Sequence, residues 1–151
     1  MLFRRRNGKL YLFLVKTAIA LRSERQVPQM TIHKSAEDYL EAMLMLKEER
    51  GYIRSIDVAD KLGVTKPSVS YATKRLRENG YISMDQSGLI TLLAPGLEIA
   101  ERIYERHKAL TKILCHLGVD PAVAREDACK IEHDLSVESF EVIRRYADKL
   151  P

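Results

Sequence analysis

SIDVADKLGVTKPSVSYATKRLRENG, residues 55–80, decides the fold of this chain. Its first part predicts a short helix with Ile56, Ala59 and Leu62 on one side, closed by Gly63-Val64. A second helix is expected to begin directly afterwards, with Thr65 as its N-cap and Pro67 in the first turn, where a missing N–H is tolerated. Two short helices joined by a tight glycine-containing turn predict a helix-turn-helix.

The second of these helices has a positively charged outer side. Residues 65–77 contain four Lys or Arg residues and no acid, while Val69, Ala72 or Thr73, and Leu76 are expected to face inward. The alternative is a solvated helix face, which is the usual meaning of such a charge run. With the turn and the proline in place, contact with DNA is the favoured interpretation.

Two short β segments are predicted after this helix. Residues 81–85 and 89–93 are mostly apolar or β-branched and enclose a turn at Gly88, so they predict a hairpin, the wing of a winged helix-turn-helix. Upstream, a helix is expected to start at a Ser35 cap and to stop at Gly51. Residues 52–54 could add a third short strand.

The second half of the chain reads as helical throughout. One long helix is expected from Ala94 to Leu117-Gly118, a second from Pro121 to Leu135, and a third from a Ser136 cap to Leu150. The predicted fold is therefore mainly α, with a winged helix-turn-helix domain at 31–94 and an all-helical domain at 95–151. The amphipathic last helix favours a homodimerisation unit, and an intrachain three-helix cap is the alternative.

Residues 1–30 form a basic leader. They hold seven Lys or Arg residues against Glu24 alone, a balance of +6, so the remainder carries −2 of the net +4 and the pI near 9.1 is not itself evidence for DNA binding. The apolar run of residues 10–21 is interrupted by Lys16 and falls short of the about 20 apolar residues needed to span a bilayer. We interpret the leader as an extra helix or as upstream sequence before a natural start at Met30, and expect no membrane partner.

A thiol, a carboxylate and an imidazole follow one another at helical spacing near the end of the chain. The two cysteines, Cys115 and Cys129, give no disulfide framework and are expected to be reduced in a cytoplasmic protein. On a helix, Cys129, Glu132 and His133 at i, i+3 and i+4 would share one face. Such a trio can bind a metal ion, but a divalent first-row cation usually takes about four to six ligands, so other segments must contribute.

Further candidate ligands lie upstream. Asp38 and Glu41 are spaced i, i+3, and His107 lies within the long helix. Taken singly, each has an ordinary explanation: a capping box with Ser35 for Asp38, a solvated face for Glu41 and a half-buried core position for His107. The sequence alone does not show that these groups converge with the trio.

The order of four motifs resembles the diphtheria-toxin-repressor family of iron- and manganese-dependent transcriptional regulators, from Thr31 to Leu150. The motifs are DYLE at 38–41, TKPSVS at 65–70, YERHKAL at 104–110 and CKIEHDLS at 129–136. By this resemblance the family's metal-binding positions are Asp38, Glu41, His107, Cys129, Glu132 and His133.

The resemblance also implies a hybrid metal site. Asp38 matches the manganese branch, where the iron branch has methionine, whereas Cys129 matches the iron branch, where the manganese branch has glutamate. Thr111 and Arg125 stand where the iron branch's ancillary site needs a glutamate and a histidine, so we expect that site to be absent. Because the chain ends at Pro151, we expect a short form without an SH3-like third domain.

The chemical types of the candidate ligands do not decide which metal ion binds. Carboxylates suit Mn²⁺ or Fe²⁺, while a Cys129 thiolate favours Fe²⁺, Co²⁺ or Zn²⁺. We expect Mn²⁺ or Fe²⁺ as the cofactor, with Zn²⁺ or Co²⁺ possible in vitro, and the sequence does not decide between one ion and two.

The expected function is metal-dependent repression of metal-uptake genes by a homodimer on palindromic double-stranded DNA, and not catalysis. The residues expected to contact DNA are Thr65, Lys66, Pro67, Ser68, Ser70, Tyr71, Lys74 and Arg75. A metal-independent winged-helix regulator that senses a small organic ligand is the alternative, but it leaves the six metal donors as coincidence. A metallohydrolase would explain the donors and not the basic helix, and the chain has no H-E-x-x-H motif.

Overall fold

The structure is a computed structural model, and it describes residues 34–151. The predicted leader at 1–30 lies outside these residues. The elements follow in the order α1 (Lys34–Arg50), α2 (Ser55–Leu62), α3 (Lys66–Glu78), β1 (Ile82–Met84), β2 (Ile90–Leu92), α4 (Ala94–His116), α5 (Pro121–Ile131) and α6 (Val137–Ala147). The mainly helical fold, with a winged helix-turn-helix followed by a helical domain, is confirmed.

The helix-turn-helix has the local features that the sequence predicts. Gly63 ends α2 with a φ of 64°, a left-handed conformation that glycine adopts without strain. The Thr65 side chain then accepts a hydrogen bond from the Ser68 N–H and caps α3, whose first turn contains Pro67. Val58 and Val69 are fully buried, so the two helices are fixed against each other by apolar contacts.

The wing is a two-stranded antiparallel hairpin. Ile82 pairs with Leu92 and Met84 with Ile90, and the Asp85 carboxylate accepts hydrogen bonds from the Ser87 and Leu89 N–H groups across the turn. The third strand expected at residues 52–54 is reduced to an isolated bridge between Arg54 and Leu89. The bridge joins the segment before α2 to the end of the wing that carries the turn.

The largest core lies beneath α1, between the helix-turn-helix and the wing. Its fully buried members include Leu40, Met43, Leu46, Ile53 and Ile82, and Ala100 of α4 packs against the same cluster. A smaller cluster joins α4 to α6. The long helix α4 therefore contacts both halves of the described chain.

Gly96 lets the beginning of α4 pack directly on the main chain of Tyr81, just before the strand β1. A Cβ atom at this position would lie 2.2 Å from the main-chain oxygen of Tyr81, much closer than two such atoms can approach. Leu93, just before α4, donates its N–H to the same oxygen. The wing and α4 are thus in backbone contact.

Three predicted helix boundaries were wrong. Lys34, the first residue that the structure describes, is already helical, so Ser35 lies within α1 and is not its cap. Helix α5 ends at Ile131 and not at Leu135, because the chain turns to start α6, which Ser136 caps. Helix α6 ends at Ala147 and not at Leu150. As a consequence, Glu132 is the C-cap of α5 and His133 lies in the turn that follows.

Within residues 34–151, none of the helices combines the length and the apolar character required to cross a bilayer.

Candidate functional site

Three side chains from separate elements meet between α1 and the helical domain. Glu41 comes from α1, His107 from α4 and Glu132 from the end of α5, and one ligand atom of each lies within 4.8 Å of the others. Nδ1 of His107 is 3.0 Å from Oε2 of Glu132 and 3.8 Å from Oε1 of Glu41. Both glutamates are buried, which is exceptional for carboxylates unless they are paired or bind a cation.

Asp38 and His133 extend this cluster on the other side of Glu132. Nε2 of His133 is 2.7 Å from Oδ1 of Asp38 and 3.4 Å from Oε1 of Glu132. Despite the short distance, neither Nε2 of His133 nor Oδ1 of Asp38 has a partner with hydrogen-bond geometry among the described residues. Five of the six ligands expected from the sequence are therefore brought together.

Cys129, the sixth expected ligand, stands apart from the three-residue group. The residue is exposed and is not among the side chains whose ligand atoms lie within 4.8 Å of one another. Partial burial of its thiol, followed by the negative charges of Glu132 and Glu41, raises the pKa of Cys129 to about 11.

Glu37 is a site residue that the sequence reasoning missed. Its Oε2 lies 2.8 Å from Nδ1 of His133, and its Oε1 accepts a hydrogen bond from Nη2 of Arg102 at 3.0 Å. An acid in the first turn of a helix has an ordinary explanation, because a negative charge there is stabilised by the helix dipole. The available signal was its position one turn before Glu41, on the side of α1 that carries a candidate ligand.

The acidic groups of the cluster raise one another's proton affinity. Burial, and then the charge of Glu132, raises the pKa of Glu41 to about 7. A hydrogen bond to Glu132 raises the pKa of His107 against the opposing effect of burial. Burial acts to lower the pKa of His133, but its interactions with Asp38 and Glu37 outweigh this and raise it to about 9. Positive charge at this place is therefore favoured.

The donor set fits a divalent cation. Four buried ligand-type atoms of this cluster have no hydrogen-bond partner among the described residues: Oδ1 of Asp38, Oε1 of Glu41, Oε1 of Glu132 and Nε2 of His133. Leaving a buried polar atom unpaired costs about 1–3 kcal/mol, and more for a charged group. Carboxylate oxygens and imidazole nitrogens are the ligands that Mn²⁺ and Fe²⁺ take in proteins.

The expected DNA-contacting residues lie on the exposed side of α3 and its cap. All eight are exposed: Thr65, Lys66, Pro67, Ser68, Ser70, Tyr71, Lys74 and Arg75. The Tyr71 side chain is 69% accessible, although aromatic residues usually bury their rings. By contrast, residues 81–93 of the wing contain no Lys or Arg. Of these two elements, α3 carries positive charge and the wing carries none.

Two family models match the chain. One is described as iron dependent repressor, N-terminal DNA binding domain, and covers residues 31–88; the other is described as iron dependent repressor, metal binding and dimerisation domain, and covers residues 94–150. The chain belongs to the iron-dependent repressor family. This family consists of metal-dependent transcriptional regulators. The resemblance to the diphtheria-toxin-repressor family, stated from the four motifs, is therefore confirmed. The alternative function, a metal-independent sensor of a small organic ligand, is not supported.

Individual relatives agree with membership of the iron-dependent repressor family. The transcriptional regulator MntR of Escherichia coli is 36% identical over 125 residues, which are 83% of this chain and 81% of that protein. The structure of the manganese regulator SloR is 27% identical, with a TM-score of 0.66 over 80% of this chain and 56% of SloR. The crystal structure of IdeR from T. acidophilum shares the fold at 24% identity, with a TM-score of 0.66 over 73% of this chain and 52% of IdeR. The chain thus spans just over half the length of these two solved structures.

Proposed function

We propose that this chain is a cytoplasmic repressor of metal-uptake genes, whose homodimer binds palindromic operator DNA when it is loaded with Mn²⁺ or Fe²⁺. The observation that carries the proposal is the cluster of buried, unpaired ligand atoms between α1 and the helical domain. In this proposal the DNA-reading domain spans residues 31–94 and the metal-binding and dimerisation domain spans residues 95–151. The metal would be held by Asp38, Glu41, His107, Glu132 and His133, with Cys129 as a further ligand.

A divalent cation bound there would supply two positive charges among the carboxylates. Asp38 and Glu41 belong to α1 in the DNA-reading domain, whereas His107, Glu132 and His133 belong to the helical domain. Without a cation, protons on Glu41 and His133 balance only part of the negative charge of Asp38, Glu41 and Glu132. The remaining charges repel one another across this boundary, since three carboxylates share a poorly solvated space. The ligand set therefore joins the two domains when its charges are balanced and pushes them apart when they are not.

This coupling would act on DNA through the spacing of two recognition helices. A dimer of helix-turn-helix domains reads two half-sites about 34 Å apart, so a palindromic operator follows from two-fold symmetry. A tighter connection between α1 and α4 restricts the distances that the two α3 helices sample, and less ordering then remains to be done on binding. Couplings of this kind are typically worth about 1–3 kcal/mol.

The roles proposed on α3 follow from position and side-chain chemistry. Five residues would face base edges: Thr65, Pro67, Ser68, Ser70 and Tyr71. Lys66, Lys74 and Arg75 would contact phosphates, since a long cationic side chain at the edge of the helix reaches the DNA backbone. Nζ of Lys74 is 4.0 Å from Oε1 of Glu78, so its phosphate contact competes with an intrahelical ion pair.

The metal is proposed from the donor types. Buried carboxylates and imidazoles favour Mn²⁺ or Fe²⁺, and Zn²⁺ or Co²⁺ are expected to bind in vitro through the same nitrogens and the Cys129 sulfur. The manganese-dependent names of the relatives agree with this choice.

The proposal is tested by metal-dependent DNA binding. An operator is first selected from random duplexes with the Mn²⁺-loaded protein, and its affinity is then measured by fluorescence anisotropy with Mn²⁺ and with a chelator. We expect about 5- to 150-fold tighter binding with metal, the range that a coupling of about 1–3 kcal/mol gives. His107→Ala and Glu132→Gln should abolish the difference, whereas the exposed Glu101→Gln should keep it. Equal affinity of the unmodified protein in both conditions would overturn the proposal.

A further inference from the structure

The carboxylate of Glu37 contacts the Nδ1 edge of the His133 ring, whereas the other nitrogen, Nε2, lies near Asp38 and Glu132. The two ring nitrogens of His133 have different surroundings: Nδ1 lies 2.8 Å from Oε2 of Glu37, and Nε2 lies 2.7 Å from Oδ1 of Asp38. The Nδ1 contact has hydrogen-bond geometry, whereas Nε2 has no such partner among the described residues. One nitrogen is therefore used by Glu37, and the other remains available.

We propose that Glu37 is a positioning residue, which holds the Nδ1–H of His133 so that Nε2 faces the candidate metal cluster, and which thereby attaches α1 to the turn after α5. This inference rests on the proposed function. A histidine that binds a metal through one nitrogen generally donates its other N–H to a carboxylate, a carbonyl or water, which fixes the tautomer and the ring orientation. Glu37 is the carboxylate that is in place for this donation.

The turn that carries His133 makes such a partner necessary. Helix α5 ends at Ile131, so no continuing helix restrains the His133 side chain. The side chain is nevertheless only 3% exposed, and that of Glu37 is 14% exposed. A hydrogen bond between two groups so well shielded from water is worth more than the same bond at the surface, because the solvent competes less for either partner.

Arg102 is the second partner of Glu37, and its contribution is expected to be small. Nη2 of Arg102 lies 3.0 Å from Oε1 of Glu37, but the Arg102 side chain is 46% exposed. Ion pairs with such an accessible partner contribute at most about 1 kcal/mol, which is roughly fivefold in affinity. Glu37 should therefore affect metal binding mainly through His133, and this separates the proposal from a general surface ion pair between α1 and α4.

The affinity test compares four variants by calorimetric titration of the chelator-treated protein with Mn²⁺. Glu37→Ala should weaken binding about 10- to 100-fold, as the loss of a histidine's outer partner generally does. Glu37→Gln keeps an oxygen that can accept the Nδ1–H and should weaken binding less. Arg102→Gln should weaken it by no more than about fivefold, and Glu101→Gln, which removes an equally negative but exposed group of α4, should match the unmodified protein.

A spectroscopic test separates positioning from a merely structural role. In ¹⁵N spectra of the Zn²⁺-loaded protein, we expect His133 to carry its proton on Nδ1, with slow exchange of that proton with solvent in the unmodified protein and in Glu37→Gln. In Glu37→Ala, the exchange should become fast. Urea unfolding of each metal-free variant identifies any loss of folding. If Glu37→Ala is unstable, Glu37→Met replaces it, because methionine fills most of the same space and offers no oxygen to accept the Nδ1–H.

The outcomes are distinguishable. If the unmodified protein binds no Mn²⁺, the proposed function fails and this inference fails with it. If the unmodified protein binds Mn²⁺ and Glu37→Ala binds it equally well, or if the Nδ1 proton of His133 is unaffected by the substitution, only the role of Glu37 is overturned.

Discussion

Nη1 of Arg106 donates a hydrogen bond to the main-chain oxygen of Glu132, 2.9 Å away. The same nitrogen donates to the main-chain oxygen of Leu135 at 2.8 Å, and the guanidinium lies 5.2 Å from the centre of the Phe140 ring. A buried cation on α4 therefore satisfies two carbonyl groups in the turn that carries Glu132 and His133. Arg106 is the neighbour of one candidate ligand, His107, and it fixes the turn that carries two further candidate ligands, Glu132 and His133.

Replacing Arg106 should destabilise this turn. Arg106→Met keeps an unbranched side chain over Phe140 but leaves two carbonyl oxygens without a donor, so we expect a loss of about 1–3 kcal/mol in the free energy of unfolding. Mn²⁺ affinity should fall as well, because Glu132 and His133 lose their fixed positions. Urea unfolding and calorimetric titration measure the two effects. The exposed Arg145→Met serves as the control, and equal behaviour of the two variants would contradict the prediction.

The stability of the metal-free protein should decrease with rising pH. Burial, and then the charge of Glu132, raises the pKa of Glu41 to about 7 from an ordinary value of 4.5. Burial opposes the change at His133, but its carboxylate partners raise its pKa to about 9 from 6.5. Both groups bind protons more tightly in the folded protein than in the unfolded chain. The stabilising contribution of Glu41 is therefore complete below pH 4.5 and is lost as the pH rises through about 7. That of His133 is complete below pH 6.5 and is lost as the pH rises through about 9.

Urea midpoints measured with a chelator at pH 5, 7 and 8.5 check this dependence. The matched experiment uses saturating Mn²⁺ under anaerobic conditions, where the trend should reverse, since metal and protons compete for the same ligands. A flat midpoint across this range in the chelator series would show that the carboxylate cluster does not take up protons as described.

Removal of a phosphate-contacting cation should reduce the salt dependence of DNA binding. Lys66 and Arg75 are exposed and make no ion pair with another described residue, so each is free to neutralise a phosphate. Lys66→Ala should weaken binding to all sequences alike and should reduce the slope of log K against log salt by about 0.9 for each phosphate that is no longer neutralised. The exposed Lys149→Ala of the helical domain should leave the slope unchanged. A change of sequence preference in Lys66→Ala would instead indicate a base contact.

Replacement of Cys129 should change the metal preference more than the affinity for Mn²⁺. Partial burial and the neighbouring carboxylates raise the pKa of Cys129 to about 11, so the thiolate forms only when a metal displaces the proton. A soft metal does this better than Mn²⁺, because sulfur ligands favour Zn²⁺ and Co²⁺. Cys129→Ser should therefore weaken Zn²⁺ binding strongly and Mn²⁺ binding slightly. Loss of the thiolate charge-transfer band of the Co²⁺-loaded protein tests direct ligation.

The sequence predicted those features that depend on neighbouring residues. The turn at Gly63, the Thr65 cap and Pro67 define the helix-turn-helix through local rules, and the structure confirms them. The types of the candidate ligands were also visible. Their convergence was not, because it depends on how α1 packs against α4 and α5, and a resemblance to a family was needed to suggest it.

The errors have long-range causes. The helical pattern continues past Ile131, but the chain turns there towards α6, and Arg106, 26 and 29 residues away in the sequence, donates to the main-chain oxygens of Glu132 and Leu135 in that turn. Glu37 was missed because its partner His133 is 96 residues distant in the chain. No pattern within a single helix reveals a contact of this kind.

The backbone contact between Gly96 and Tyr81 gives α4 a mechanical role. His107 lies 11 positions after Gly96 on the same helix, a distance of about 16 Å at 1.5 Å per residue. A tilt of α4 by roughly 10° about His107 would shift its first turn by about 3 Å, and the hairpin resting against Gly96 would move with it. A tilt of this size about one imidazole would thus move the hairpin, which contains none of the candidate metal ligands.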